Sequence, residues 1–454
     1  QSADSPPLNL MQHVERAPYP LAVYSDGIDD SQVQYTLANG ANNGPRTVSG
    51  AGEERIVLNG TLSDGRTIQK TVVVHGDGYF LDVNAKLDRP AKDGSKAMVE
   101  WTRFVPVTSS SYLDPYHTDG FVWFDGQKTL REAFSKLRAD MFDIPSVRWL
   151  AIADKYFMAA LIGTDINNPD TVRVERTGQL YRAILMGGDR EVSARVFAGP
   201  KGYRLLQHSG SDLHRAIDFG WTGVIAAPLL ALLHTLYALV GNYGLAIVLL
   251  TIIVKTVLYP LNARAFTQMK AMQDLAPDLK RIKESITDKA MQQQEMMALY
   301  KKKGVNPLGG CFPVLIQMPV FIGLYSALML AIELRHAPFA LWITDLSAQE
   351  RLHIAGFGVP VMVLLFCLSM VVQQATTPSN LEPAQKRVMM FMPLVFGFMF
   401  ATMPAGLTLY WLTNNTISIG QQISLRRGNQ REAALITGGT AFGIFVLAFL
   451  LTRM

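Results

Sequence analysis

The hydrophobic pattern along this chain changes period once. Up to about residue 210, apolar and polar residues alternate in short runs; from about residue 222 they gather into long apolar stretches. The first region reads as strands. TIQKTVVVH (67–75) and YFLDVNAKL (79–87) flank GDG (76–78), a hairpin signal. MVEWTRFVPV, GFVWFDG, TVRVERTGQLYRAILMG and EVSARVFAGP continue at similar spacing. Many short strands with Gly and Asp turns predict a large antiparallel β-sandwich over residues 1–205. One helical insertion is predicted near residues 130–141, and GPKGYRLLQ (199–207) switches towards helix.

The second region reads as membrane helices. A span needs about 20 apolar residues. Stretches at about 243–262, 309–332, 356–374, 388–404, 408–425 and 434–452 qualify. The run 222–241 is long enough too, but His234 and Tyr237 interrupt it and the amphipathic SDLHRAIDFGW precedes it. Residues 211–240 are therefore expected to lie in the membrane interface. Between the first two spans, Phe266, Met269, Leu275, Leu279, Ile282 and Ile286 recur at helical spacing, as do Met291, Met296, Leu299 and Tyr300. Residues 263–305 thus predict a helical hairpin with its corner at Thr287 and Asp288.

Composition sharpens this picture. The chain is 49% apolar and 17% charged, too apolar for an ordinary soluble protein. Its formal net charge of +5 arises in the second region, so it speaks of membrane topology rather than nucleic acid. The loop 263–305 holds Arg264, Lys270, Lys280, Arg281, Lys283, Lys289, Lys301, Lys302 and Lys303; Lys386 and Arg387, then Arg426, Arg427 and Arg431, mark later basic loops. The intervening loop 334–355 has only Arg335 and Arg351. Basic loops stay inside, so the hairpin is expected in the cytoplasm and residues 1–205 outside it. The basic hairpin reads equally as a charged face beside anionic lipid and as a docking surface.

Candidate chemistry is sparse. Cys311 and Cys367 both lie in apolar segments and suggest neither a disulfide nor a zinc site. The Asp, His and Glu residues of the first region have no catalytic spacing. No metal, no cofactor and no enzymatic reaction are expected. The chain opens at Gln1 with no apolar leader, which a cleaved signal peptide or a reordered chain would explain. One residue stands out. Lys255, in TIIVKTVLYP, is the single charge in the apolar run 245–261. It lies seven residues before Asn262, hence about 10 Å from the helix end expected there. Snorkelling to the interface is one reading. Thr251 shares its helix face, and Gln317, Gln373, Gln374, Tyr410, Asn414 and Gln421 punctuate other spans. Single polar residues in several adjacent spans point to a shared wet cavity.

KKKGVNPLGGCFPVLIQMPVFIGLY (301–325), ELRHAPFALWITDLSAQ (333–349), GNYGLAIVLLTIIVKTVLYPL (241–261) and MFMPLVFGFMFATMPAGLTLYWLTNN (390–415) closely resemble the YidC branch of the YidC/Oxa/Alb membrane insertases. The resemblance runs over 211–427, and residues 1–205 fit the family's periplasmic domain by size and position. It implies an α+β membrane protein. An extracytoplasmic antiparallel β-sandwich would precede an α-helical membrane domain, an insertase core over 241–427 with five core transmembrane helices and the cytoplasmic hairpin. The expected activity is insertion and folding of nascent proteins in the bacterial inner membrane, alone or with the Sec translocon. Expected partners are nascent membrane proteins, the ribosome, the Sec translocon and the phospholipid bilayer, with ribosomal RNA the one nucleic-acid contact.

The family's groove carries one basic residue on the first core helix, matched here by Lys255, where most relatives have arginine. A point charge survives that exchange, while the planar fork of arginine is lost. Substrate contact in the family is associated with a threonine, matched by Thr251, and a tyrosine whose place Trp411 takes beside Tyr410. With Gln317 and Asn414 these make the candidate groove; Lys280, Arg281, Lys283, Lys301, Lys302 and Lys303 make the candidate docking face. The extra C-terminal span at 433–454 departs from the family's order and is expected to be a relocated first span or a separate accessory helix. A polytopic transporter or channel, or a membrane-tethered carbohydrate-binding domain, are the competing functions; the chain shows no internal repeat and a single lone lysine, which does not favour the former.

Overall fold

The computed structural model describes residues 20–38, 47–105, 119–164, 170–305, 312–354, 356–376, 383–426 and 430–452. Side chains at 170, 312–316, 383–386, 426, 430–437, 441 and 451 fall outside that description. So do Cys311, Arg427 and the opening arm from Gln1. The chain divides into two compact units, Gln1–Asp218 and Phe219–Met454.

The first unit is built of β1 (Ala22–Ser25), β2 (Ile28–Asp29), β3 (Thr36–Leu37), β4 (Glu53–Thr61), β5 (Thr67–His75), β6 (Phe80–Leu87), β7 (Met98–Phe104), β8 (Gly120–Phe124), β9 (Thr129–Ala133), β10 (Met141–Val147), β11 (Trp149–Ala153), β12 (Phe157–Gly163), β13 (Asp170–Thr177), β14 (Leu180–Met186) and β15 (Glu191–Pro200). They form a six-stranded sheet, β10-β13-β14-β7-β1-β2, and a nine-stranded sheet, β3-β4-β5-β6-β15-β12-β11-β8-β9. Their pairings are antiparallel, and the GDG turn joins β5 to β6 with Val74 opposite Leu81. The alternating side chains of both sheets meet in one core, with Val99, Trp101, Val174 and Leu185 from the first and Val83, Leu87, Leu161 and Val196 from the second. GFVWF and WLAIA do not alternate because β8 and β11 are buried on both faces.

The helical insertion expected at 130–141 is a correction. Residues 129–133 pair with β8, a single 3₁₀ turn follows at Phe134–Lys136, and β10 begins at Met141. Leu130, Phe134, Leu137 and Met141 share a helical spacing, but Leu130 and Met141 are exposed. Only Phe134 finds a deep pocket, stacked 3.9 Å from Tyr181. With one anchor instead of a buried stripe, sheet pairing wins.

The second unit is helical: α1 (Tyr203–Gln207) closes the first unit, then come α2 (Gly223–Val240), α3 (Tyr243–Asp274), α4 (Ala276–Ser285), α5 (Lys289–Lys303), α6 (Phe312–Leu330), α7 (Val361–Thr376), α8 (Pro383–Phe400), α9 (Ala405–Arg426) and α10 (Gln430–Leu451). Helix α3 does not end near Asn262 as expected. Pro260 removes one backbone donor, but the helix-forming ARAFTQMKAMQD that follows carries it to Asp274. The break between α4 and α5 falls at Ile286–Asp288, and the Asp288 carboxylate accepts from the Ala290 N–H at 2.8 Å to start α5.

Helix α9 is central, packing on α3, α7 and α10, while α2 packs on α6 and α3. Two glycines permit close approach: a Cβ at Gly323 would lie 2.8 Å from Ile225, and one at Gly420 2.9 Å from Thr440. Gly220–Val240 and Tyr243–Asp274 are long and apolar enough to cross a bilayer; Gln317–Leu330, Val361–Thr376, Arg387–Phe400 and Gly438–Leu450 are shorter apolar helices. Leu364, Leu368, Val371, Phe391, Leu394 and Phe398 stand exposed along α7 and α8. So much contiguous apolar surface is what a lipid-facing wall presents.

Within the β-unit, Glu100 is fully buried on β7, on the face away from Val99 and Trp101. Burial pushes its carboxyl up from 4.5 to about 7, only partly offset by the Arg182 guanidinium at 3.5 Å. The folded unit therefore binds this proton more tightly than the unfolded chain. The stabilisation is complete below the unfolded value and is lost as pH rises through about 7. Thermal unfolding of the β-unit, followed by circular dichroism, should show Glu100→Gln gaining stability over the parent between pH 5 and pH 7.5. A difference that does not change across that interval contradicts the assignment.

Candidate functional site

The site is assembled on α3, α6 and α9. Asn242 caps α3, its side-chain oxygen accepting from the Leu245 N–H at 3.0 Å, and the helix then carries Lys255 three turns inward. On α9, Tyr410, Asn414, Ser418 and Gln421 follow at spacings of four, four and three, which puts them on one helix face. Helix α6 presents Gln317 to that stripe. Together with Gln373 of α7 these helices line a half-open cavity of about 340 Å³, with Lys255, Gln317, Tyr410, Trp411, Asn414 and Ser418 in its wall.

Lys255 is 5% exposed. Its Nζ donates to Ser418 Oγ at 2.8 Å, and the Ser418 hydroxyl donates in turn to the Asn414 carbonyl at 2.8 Å. The Gln317 amide donates to Asn414 Oδ1 at 3.2 Å. These bonds tie α3 to α9 at Ser418 and α9 to α6 at the Asn414 side chain. Among the described residues no Asp or Glu lines the cavity, so within that described wall the ammonium meets neutral dipoles. One wall is aromatic: Trp411 packs edge-to-face on Phe321, ring centroids 4.8 Å apart, and on Phe400 at 5.8 Å. The Gln421 amide nitrogen is buried without a hydrogen-bond partner among the described residues.

Of the six groove candidates, the structure gathers five: Lys255, Gln317, Tyr410, Trp411 and Asn414. The Tyr410 and Trp411 rings both line the cavity. Thr251 does not: it is buried one turn away, its hydroxyl donating to the Ile247 carbonyl at 2.7 Å. The six basic candidates, Lys280, Arg281, Lys283, Lys301, Lys302 and Lys303, are exposed on α4 and α5, away from the cavity wall. Snorkelling does not describe Lys255, since α3 runs nineteen residues beyond it and its head group bends onto α9. Sequence reading missed Ser418 and the α3 extension, which brings Asn262, Phe266 and Met269 to the cavity. The i, i+4, i+8 repeat from Tyr410 would have disclosed the serine.

The opposite end of the bundle is stitched shut by residues 331–360. The buried Glu350 carboxylate accepts from the Trp342 indole and, across the start of α7, from the N–H groups of Val361 at 3.2 Å and Met362 at 3.1 Å. Ala405 and Gly406, at the start of α9, donate to the carbonyls of Ala348 and Leu346 at 2.8 and 2.9 Å. Arg351 reaches the Ala401 carbonyl at 2.8 Å. The space between α3, α6 and α9 therefore has one tied end and one towards α4 and α5.

Comparison with known proteins agrees with this architecture. Residues 235–432 match the family of the 60Kd inner membrane protein, and residues 1–232 match the YidC periplasmic domain. The chain is 36% identical over 395 residues to the membrane protein insertase YidC of Geotalea daltonii, covering 84% of this chain and 72% of that one. It is 36% identical over 372 residues to that of Geobacter sulfurreducens, covering 80% and 69%. A solved structure described as an active YidC insertase with its first transmembrane domain resolved aligns over 88% of this chain and 82% of that one, at 20% identity and a TM-score of 0.40. By its two family matches and these identities, the chain belongs to the YidC family of membrane protein insertases. Membrane protein insertion is the function that membership assigns, and neither a transporter nor a tethered carbohydrate-binding domain is favoured.

The tied end makes a stability test. Glu350→Ala strands the Trp342 indole and two backbone donors, at a cost of roughly 1–3 kcal/mol for each group left unpaired. Its thermal midpoint in detergent should fall by several degrees, and Glu350→Gln, which keeps an acceptor, by less. An unchanged midpoint for Glu350→Ala contradicts the stitching.

Proposed function

We propose that this chain inserts nascent proteins into the bacterial inner membrane through a hydrophilic groove built around Lys255. The groove opens to the cytoplasm and sideways to lipid. In this reading α3, α6, α7, α8 and α9 are the five core spans and α10 is an additional one. The β-unit lies in the periplasm, α4 and α5 form the cytoplasmic hairpin, and residues 211–240 lie in the interface. The distribution of Lys and Arg supports that orientation. The tied end at 331–360 supports closure on the periplasmic side.

The observation that carries the proposal is a buried ammonium with no carboxylate among the described residues of the wall around it. A charge isolated at mid-bilayer costs on the order of 3 kcal/mol or more. Here hydroxyl and amide dipoles hold it, and none of them cancels its sign. An acidic flank of a nascent segment is therefore attracted into the groove, while the segment's apolar part remains against lipid. The polar flank then crosses only part of the hydrocarbon thickness unsolvated. Neutralisation is transient because neither partner is covalently changed, so the flank is free to leave on the far side. The apolar segment slides along α6 and α8, where exposed Met390, Leu394 and Phe398 offer an adaptable surface. The exposed basic hairpin, with Lys280, Arg281 and Lys301–Lys303, is the docking face for the ribosome, and the core works alone or beside the Sec translocon.

Reconstituted vesicles test the charge. Lys255→Ala should lower insertion of a substrate with an acidic translocated flank about tenfold, the scale of one charge-assisted contact, and Lys255→Arg should retain it. Equal insertion by Lys255→Ala and the parent across such substrates contradicts the groove reading.

A further inference from the structure

The groove charge is a lysine where the family resemblance leads one to expect arginine, and the side chain that receives it is Ser418. We propose that Ser418 is a positioning residue that lets a lysine serve this groove: it draws the ammonium onto the cavity wall and leaves its charge uncancelled. The inference rests on the groove reading above.

The geometry is specific. A lysine ends in a compact point charge on a flexible stem with three donors, whereas arginine holds a planar fork. On an apolar helix face that flexible stem has no fixed position of its own. Ser418 gives it one, at 2.8 Å from Nζ. The serine's proton is already committed to the Asn414 carbonyl at 2.8 Å, so its lone pairs are turned to the ammonium and the two bonds polarise each other. The acceptor is therefore preorganised by its own helix, while the Gln317 amide holds the neighbouring Asn414 side chain from α6.

The choice of a hydroxyl matters as much as its place. A carboxylate at position 418 would bind the lysine more tightly and cancel its charge, closing the site to an acidic flank. Alanine would leave the stem free to wander along α3. A hydroxyl lies between these: it orients the ammonium, neutralises nothing, and leaves two of its three protons for an arriving carboxylate. Ser418 thus tunes selectivity for acidic flanks rather than insertion in general.

The test is reconstituted insertion by the full chain of two substrates that differ only in an acidic or a neutral translocated flank, read as their ratio. Ser418→Ala should reduce the acidic-to-neutral ratio about tenfold, the range of a hydrogen bond to a charged group. Ser418→Thr, which keeps the hydroxyl, should restore it. In the Lys255→Arg background, Ser418→Ala should cost less than about twofold, because the wider fork finds other acceptors among the wall amides. If Ser418→Ala leaves the ratio unchanged while Lys255→Ala collapses it, the positioning role is wrong and the groove charge stands. If Lys255→Ala leaves it unchanged as well, the groove reading itself falls. A loss shared equally by both substrates makes Ser418 merely structural and overturns the proposal.

Discussion

The hydrogen bond from Lys255 to Ser418 is the interaction on which the membrane unit turns. An ammonium 5% exposed on a helix with an apolar run on either side must have polar partners. The partners come from one face of α9, and they oblige α9 to stand in the middle of the bundle against α3. The same face then meets Gln317 on α6, a helix that packs mainly on α2. The remaining helices serve other ends. Helices α7 and α8 turn Leu368, Leu394 and Phe398 outward, as a wall in hydrocarbon should. Residues 331–360 satisfy the exposed ends of α7 and α9 through Glu350, Leu346 and Ala348.

Such an arrangement separates two physical tasks. In the proposed groove, orientation is supplied by neutral dipoles, and attraction by a charge they do not quench. A carboxylate partner would have done the first and defeated the second. The aromatic wall of Trp411, Phe321 and Phe400 adds a rigid, amphipathic surface at the same depth, suited to a passing segment of varied sequence. Family membership assigns the activity, and the proposed groove is a way for the chemistry of this cavity to perform it.

Much of this was legible in the chain itself. Alternation gave the strands, including the GDG hairpin, because one face of each is buried and the other is wet. The anomaly of Lys255 was visible because charges in apolar runs are rare. What failed, failed for identifiable reasons. Helical spacing at Leu130, Phe134, Leu137 and Met141 misled because spacing does not disclose which residues have something to pack against. Asn262 looked like a helix end because the apolar stretch stops there, yet the more polar residues beyond it favour helix and carry α3 to Asp274. Thr251 shares the lysine's face but satisfies its hydroxyl on its own helix at Ile247, so facing alone did not bring it into the cavity. Ser418 does not stand out in the sequence, since serines in membrane helices commonly back-bond to the preceding turn; here that bond, to Asn414, leaves its lone pairs to the lysine.

The most direct measurement is photocrosslinking from position 411, beside the charge, to a ribosome-stalled membrane protein carrying an acidic flank. The account predicts adducts at 411 that appear as the flank enters, weaken strongly in Lys255→Ala and persist in Lys255→Arg. Adducts at 411 that are indifferent to residue 255, or that form equally with acidic and neutral flanks, would contradict it.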